Sequence, residues 1–156
     1  MSRLSNPNDL ILQKTLAVNG YRFTGQRAEV YRILTSTSNH PTAEEVFLGV
    51  REKVPEISLA TVYKNLETLV SCGLASKMSH ADGSARYDGR SDPHHHTRCI
   101  SCGCVSDIPG EFREPELSKI ILGDNDFHIT GYHLELTGYC SECAREMDDK
   151  ASLHAS

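Results

Sequence analysis

The 156-residue chain has no tryptophan and few other aromatics, 6% in all, so a small lobe has little large apolar surface with which to hold itself together. It lacks any run approaching the roughly 18 apolar residues of a membrane span. Its first sixteen residues hold only scattered apolar positions, where a signal peptide needs a block. These absences point to a soluble, unexported and therefore cytoplasmic protein with no membrane partner. Internal repeats and low-complexity segments are also missing. A chain of this length buries one ordinary core, or splits into two small lobes that each need extra support.

What is present is unevenly distributed. The net charge of −5 argues superficially against nucleic acid, yet residues 1–90 carry 11 Lys and Arg against 9 Asp and Glu, while residues 91–156 carry 5 against 12. The first part is thus slightly basic and can meet phosphate; the second is strongly acidic and should avoid it.

Apolar residues recur at helical spacing from Leu10 to Val18 and from Gln26 to Leu34, with Thr24 placed to cap the second segment. Thr42 and Glu45 have capping-box spacing ahead of Val46, Phe47 and Val50, which predicts a third helix. Pro55 and Ser58 interrupt the pattern. Leu59, Val62, Leu66, Leu69 and Val70 then line one face of a fourth helix, which Gly73 ends. Two strand-like stretches follow, Leu74–His80 and Ser84–Asp88, joined by the turn Ala81-Asp82-Gly83. Helices followed by a two-stranded ribbon describe a winged helix.

Composition changes at Gly89-Arg90-Ser91-Asp92-Pro93. We expect residues 1–89 to form a winged-helix DNA-binding domain, 90–93 a hinge, and 94–156 a small α/β domain, an α+β fold overall. Within the second part, β-prone runs stand around Thr97–Ile100 and Val105–Ile108. A helix is expected from about Glu114 to Leu122, an alternating strand from His128 to Leu136, and a last helix from near Ser141, with Lys150 to Ser156 frayed.

Four of the six cysteines fall into the pairs Cys99-Ile100-Ser101-Cys102 and Cys140-Ser141-Glu142-Cys143. At this spacing one tight turn offers two thiolates to the same ion, and two such turns make a closed tetrahedral zinc site. Disulfides or a thioredoxin-like redox motif are the plainer alternatives, but no strand-then-helix redox context surrounds either pair. Cys72 reads as a small buried residue at a helix end, and Cys104 as a spare thiol or an unrelated neighbour.

His94, His95 and His96 precede the first cysteine turn, and in an extended segment His94 and His96 point to one side. Asp88 and Asp107 stand close enough in sequence to add carboxylates, and His40 lies at the mouth of the third helix. Imidazoles with carboxylates suit iron(II), manganese(II) or zinc, and a five-donor nitrogen and oxygen set favours the first two. A plain polar run or a tag is the bland alternative, and the internal position argues against a tag. A hydrolytic metal enzyme is the competing class; nothing in the chain looks like a substrate cradle, so we expect no enzyme.

Several segments together resemble the ferric uptake regulator family over about residues 10–147. They are Thr24-Gly25-Gln26-Arg27, where the family usually has Pro in the second place, His40-Pro41-Thr42-Ala43, Ala60-Thr61-Val62-Tyr63, the histidine run and the two cysteine pairs. The resemblance implies a metal-dependent transcriptional repressor, with an α/β dimerisation domain following the winged helix. It implies a regulatory iron(II) or manganese(II) site of His40, Asp88, His94, His96 and Asp107, and structural zinc on Cys99, Cys102, Cys140 and Cys143. Asp at 88 and 107, where iron-uptake regulators tend to have Glu, resembles the peroxide-sensing PerR subgroup, in which His40 or His94 would be the oxidised ligand. Iron-responsive or zinc-responsive regulation is the alternative. A third metal is not expected, because Pro93, His95 and Tyr132 replace the usual ligands and leave only Glu114.

In a homodimer on a near-palindromic operator, the helix from Ser58 to Val70 is then the recognition helix. Thr61, Tyr63, Lys64 and Asn65 are its expected contacts, with Arg22, Arg27, Lys77 and Arg86 available for phosphate.

Overall fold

The computed structural model describes residues 7–79, 83–90, 92, 94–108 and 134–154. The chain is an α+β protein of two units, divided between Asp92 and Pro93.

In the first unit four helices precede a hairpin: α1 (Pro7–Val18), α2 (Gly25–Ser36), α3 (Ala43–Arg51), α4 (Leu59–Ser71), then β1 (Ser76–Ser79) and β2 (Ala85–Asp88). Each later helix opens on a side-chain cap that satisfies an otherwise orphaned backbone N–H. The hydroxyl of Thr24 accepts from Arg27 N–H at 3.2 Å and that of Ser58 from Thr61 N–H at 3.1 Å. Thr42 and Glu45 form the full capping box: Glu45 N–H donates to the Thr42 hydroxyl at 3.2 Å, and Thr42 N–H donates to the Glu45 carboxylate at 2.7 Å. Ser58, which the sequence offered only as an interruption, is therefore the start signal of α4.

The apolar stripes meet as expected. Leu12 and Leu16 of α1, Val30 and Leu34 of α2, Val46 and Val50 of α3, and Val62, Leu66 and Leu69 of α4 join one core with Leu74 and Tyr87. At about 1.5–3 kcal/mol for each fully buried large apolar side chain, this core is the main cohesive force of the unit. Arg32 adds a paired contact to the Asp9 carboxylate, at 2.9 and 3.2 Å, tying α1 to α2.

The first strand begins at Ser76, later than the expected Leu74, and His80 at its expected end lies outside the described residues. Gly73 takes a φ of +70°, and Leu74 N–H turns back to the Leu69 carbonyl at 2.9 Å, so Leu74 closes the helix end instead of starting the ribbon. Strands β1 and β2 pair antiparallel from Ser76 opposite Asp88 to Ser79 opposite Ala85. Ala81 and Asp82 of the expected turn lie outside the described residues.

The second unit holds β3 (His96–Cys99), β4 (Val105–Asp107), β5 (Glu135–Gly138) and α5 (Ser141–His154). The sheet order is β4-β3-β5. β4 lies antiparallel to β3, with His96 opposite Asp107, and β5 lies parallel to it, with Cys99 opposite Gly138. The final helix runs on to His154, so Lys150 to His154 continue it rather than fray. The expected helix at Glu114 to Leu122, the first part of the strand from His128, and Tyr132 lie outside the described residues.

Gly89 follows β2 immediately, and a Cβ there would sit 2.8 Å from the Leu34 carbonyl carbon and 2.9 Å from its oxygen. Backbone cannot yield as a flexible side chain does. Gly89→Ala is expected to cost about 1–3 kcal/mol, read as a lower urea midpoint with an unchanged slope.

Candidate metal centres and nucleic-acid face

The cysteine centre follows from strand direction. β3 and β5 run parallel, so both chains leave the sheet at the same end, and Ile100 N–H fixes the exit by donating to the Gly138 carbonyl at 2.8 Å. One cysteine turn follows each strand. Gly103, at φ +73°, lets the first turn fold back so that its own N–H reaches the Cys99 carbonyl and Cys99 N–H reaches the Cys104 carbonyl, each at 2.9 Å. The second turn opens α5, where Ala144 N–H bonds the Cys140 carbonyl at 2.9 Å.

As a result the sulfur atoms of Cys99, Cys102, Cys140 and Cys143 all lie within 4.8 Å of one another, with Cys102 and Cys140 at 3.8 Å. A tetrahedron with zinc–sulfur bonds of about 2.3 Å has edges of roughly 3.8 Å. The donor set therefore fits zinc in both chemistry and spacing, and disulfide pairing is absent, since all four are free thiols.

Charge in this cluster is frustrated without a cation. Backbone N–H groups of Cys102 and Cys140 pull the Cys99 thiol down to about 6, and the Cys143 N–H lowers Cys140. Cys143 goes the other way: the Ser101 hydroxyl favours its thiolate, but Cys140, desolvation and the other two sulfurs outweigh it and push the thiol up to about 12. Some thiols ionise readily and the last resists, because like charges crowd one another. A divalent ion removes that conflict by taking the place of the retained proton.

The histidine and carboxylate residues form a group in each unit. In the first, His40 is 2% exposed and its Nε2 lies 3.6 Å from Asp88 Oδ2, itself buried. His40 takes a left-handed φ of +47°, costly before a proline and uncommon for any residue but glycine. Two bonds hold that geometry: Arg86 Nη1 donates to the His40 carbonyl at 3.0 Å, and Tyr87 N–H to the Pro41 carbonyl at 2.9 Å. In the second unit, the pairing of His96 with Asp107 across β3 and β4 brings His96 Nε2 to 3.6 Å and His94 Nε2 to 3.3 Å from Asp107 Oδ1. The His94 and His96 rings are 4.5 Å apart, edge to face. The His95 carbonyl between them accepts from Ile108 N–H at 2.9 Å.

A model of the ferric uptake regulator family matches residues 18–137, most of the chain. The chain belongs to the ferric uptake regulator family. It is 38% identical over 137 residues to the ferric uptake regulation protein of Bacillus subtilis, covering 85% of this chain and 91% of that one. It is 35% identical over 130 residues to the peroxide-responsive repressor PerR of Staphylococcus epidermidis, covering 81% and 84%. Its fold is that of the Helicobacter pylori regulator Fur, a structure described as having three functional metal-binding sites, with a TM-score of 0.72 over 92% of this chain and 97% of that one at 24% identity.

Within this family member the expected DNA face needs correction. Tyr63 and Lys64 are exposed on α4 and Thr61 is half-buried beside its cap. Asn65, expected beside them, is only 4% exposed and faces the core stripe, since positions 62, 65, 66 and 69 share one side of a 3.6-residue helix. Arg27 is buried too, its guanidinium bonded to the Arg22 carbonyl and lying over the Tyr21 ring. Arg86 is committed to His40 and to Glu45, 3.5 Å away, and Lys77 pairs with Glu67 at 2.7 Å. Arg22 and Lys64 remain exposed. Among the described residues, no helix is long and apolar enough to cross a membrane.

One partner on this face was not legible in the sequence. The Tyr63 hydroxyl donates to Glu44 of α3 at 2.8 Å, and this bond, with the backbone and the Thr42 hydroxyl, holds the Glu44 carboxyl below its ordinary range. In Tyr63→Phe the Glu44 carboxyl should titrate at higher pH, as followed by carbon NMR. Because the folded value is the depressed one, the stabilisation exists above the ordinary glutamate range and is lost as pH falls through the folded value.

Proposed function

We propose that this protein is a homodimeric, metal-dependent DNA-binding repressor that senses hydrogen peroxide. In this reading His40 and Asp88 of the first unit and His94, His96 and Asp107 of the second share one iron(II) or manganese(II) ion. The four cysteines hold structural zinc. The observation that carries the reading is that each unit contains its own imidazole and carboxylate cluster, at 3.6 Å in one and at 3.3 and 3.6 Å in the other. Neither alone is a full coordination sphere. An ion satisfied only by both ties the unit bearing α4 to the other, so occupancy selects one arrangement of the reading heads.

The donor chemistry divides the metals. Four sulfurs suit zinc; nitrogen and oxygen donors suit iron(II) and manganese(II). Bound iron(II) supplies redox chemistry with peroxide that manganese(II) in the same residues does not. His40 and His94 are the imidazoles assigned to take the oxidation, and an oxidised ring is a poorer donor, so the tie fails and repression ends. Aspartate at both 88 and 107 and the PerR relative support peroxide as the signal. The Bacillus subtilis relative favours a second reading, the same clamp responding to iron supply.

On DNA, Thr61 and Tyr63 of α4 read base edges while Lys64 and Arg22 meet phosphate. Two copies present two such helices to a near-palindromic operator. The first part of the chain is only slightly basic, so non-specific attraction is weak and affinity depends on metal-set geometry.

Fluorescence anisotropy on an operator duplex tests this. Manganese(II) should tighten binding by roughly 5–150-fold over the form without regulatory metal, and His96→Ala should abolish the gain. Peroxide should release the iron-loaded protein but spare the manganese-loaded one, with a mass increase on the peptide containing His40 or His94. Equal release of both forms would remove the peroxide reading, and equal binding with and without metal would remove the switch.

The zinc assignment has its own check. Cys140→Ser should lower bound zinc well below about one per chain. Hydrogen-exchange protection should then fall in β3, β4, β5 and α5 while α1 to α4 keep theirs.

A further inference from the structure

Tyr63, Lys64 and Glu67 are exposed together on one side of α4, at helical spacing. The Tyr63 hydroxyl is not free to turn, because it donates its single proton to the Glu44 carboxylate of α3 at 2.8 Å. Glu44 stands in the first turn of α3, where the helix terminus favours a negative charge, so the acceptor is held in its ionised form from behind as well. The two titrations agree with that direction of donation. The Tyr63 hydroxyl lowers the Glu44 carboxyl, and Glu44 raises the Tyr63 phenol, so carboxylate and protonated phenol coexist at neutral pH.

A phenolic hydroxyl has one hydrogen to donate and lone pairs that accept. With that hydrogen committed to Glu44, the Tyr63 oxygen offers DNA lone pairs only. The ionised carboxylate beside it also only accepts. Such a pair meets a base amino group favourably, and the oxygens and ring nitrogens of a groove edge unfavourably. In the major groove every base pair shows one amino group, on adenine or on cytosine, beside acceptor atoms of guanine or thymine. A group that can only accept therefore distinguishes which strand of a pair carries the amino group. A free hydroxyl, able to donate or accept, does not.

We propose that Glu44 is a specificity-determining residue: by taking the Tyr63 proton into a hydrogen bond, it makes Tyr63 an acceptor that selects the amino group of one adenine or cytosine in each half-site. This rests on the base-reading role of α4 proposed above and adds the class of base group that is read. Glu44 is thus a positioning residue, acting on the choice of base through Tyr63.

The test uses the full chain loaded with zinc and manganese(II), as wild type, Glu44→Ala and Tyr63→Phe, both changes lying at exposed positions. Wild type first selects a consensus from duplexes with randomised half-sites. Each adenine of that consensus is then replaced by purine and each cytosine by pyrimidinone, which deletes the amino group alone, and affinities are read by fluorescence anisotropy. At one position in each half-site the deletion should weaken wild type roughly 2–10-fold and leave Tyr63→Phe unchanged. Reversing the base pair at that position should penalise wild type several-fold more than Glu44→Ala, whose Tyr63 hydroxyl can turn to donate. If no deletion penalty depends on Tyr63, or if reversal costs wild type and Glu44→Ala equally, the proposal is overturned while the selected consensus upholds DNA reading. Selection of no sequence by wild type overturns both.

Discussion

Four sulfur atoms held within 4.8 Å of one another are the constraint around which the described part of the second unit is arranged. Among the described residues, that unit thoroughly buries Cys99, Val105 and His96, while the large apolar cluster lies in the first unit. Among the described residues, β3, β4 and β5 are joined by strand pairing, and the crowded thiols at the end of the sheet call for a cation. A closed metal site is the economical physical answer for a segment so poor in aromatics, because coordination energy appears directly as folding energy.

Parallel pairing of β3 with β5 is what makes such a site possible. Had β5 run antiparallel, its cysteine turn would have emerged at the far end of a strand four residues long, out of reach of the first turn. The same β3 strand carries His96 at one end and Cys99 at the other, so a single extended segment serves both donor chemistries without mixing them. Nitrogen and oxygen donors gather where β3 meets β4; sulfur donors gather where it meets α5.

Local signals were the readable part. Thr24, Thr42 and Glu45 announced helix starts because capping is a short-range bond between near neighbours, and the stripe from Val62 to Leu69 announced a buried face. The two cysteine pairs were legible for the same reason. What could not be read required knowledge of partners distant in sequence: Arg86 spent on His40 and Tyr63 on Glu44. Asn65 was misplaced because a polar residue one step from a core position was assigned by its chemistry, when helical geometry carries it inward. The end of α5 was misjudged because polar composition alone does not stop a helix.

The two bonds between the hairpin and the loop at His40 and Pro41 have a wider consequence. They rivet the ribbon strand bearing Asp88 to the backbone that aims the buried imidazole, so neither can be displaced alone. In a repressor of this family, whatever grips the ribbon from outside steadies that imidazole as well. In the proposed function, thermodynamic reciprocity makes the operator itself an effector: a chromosome-bound molecule should surrender its ion more reluctantly than one adrift in the cell.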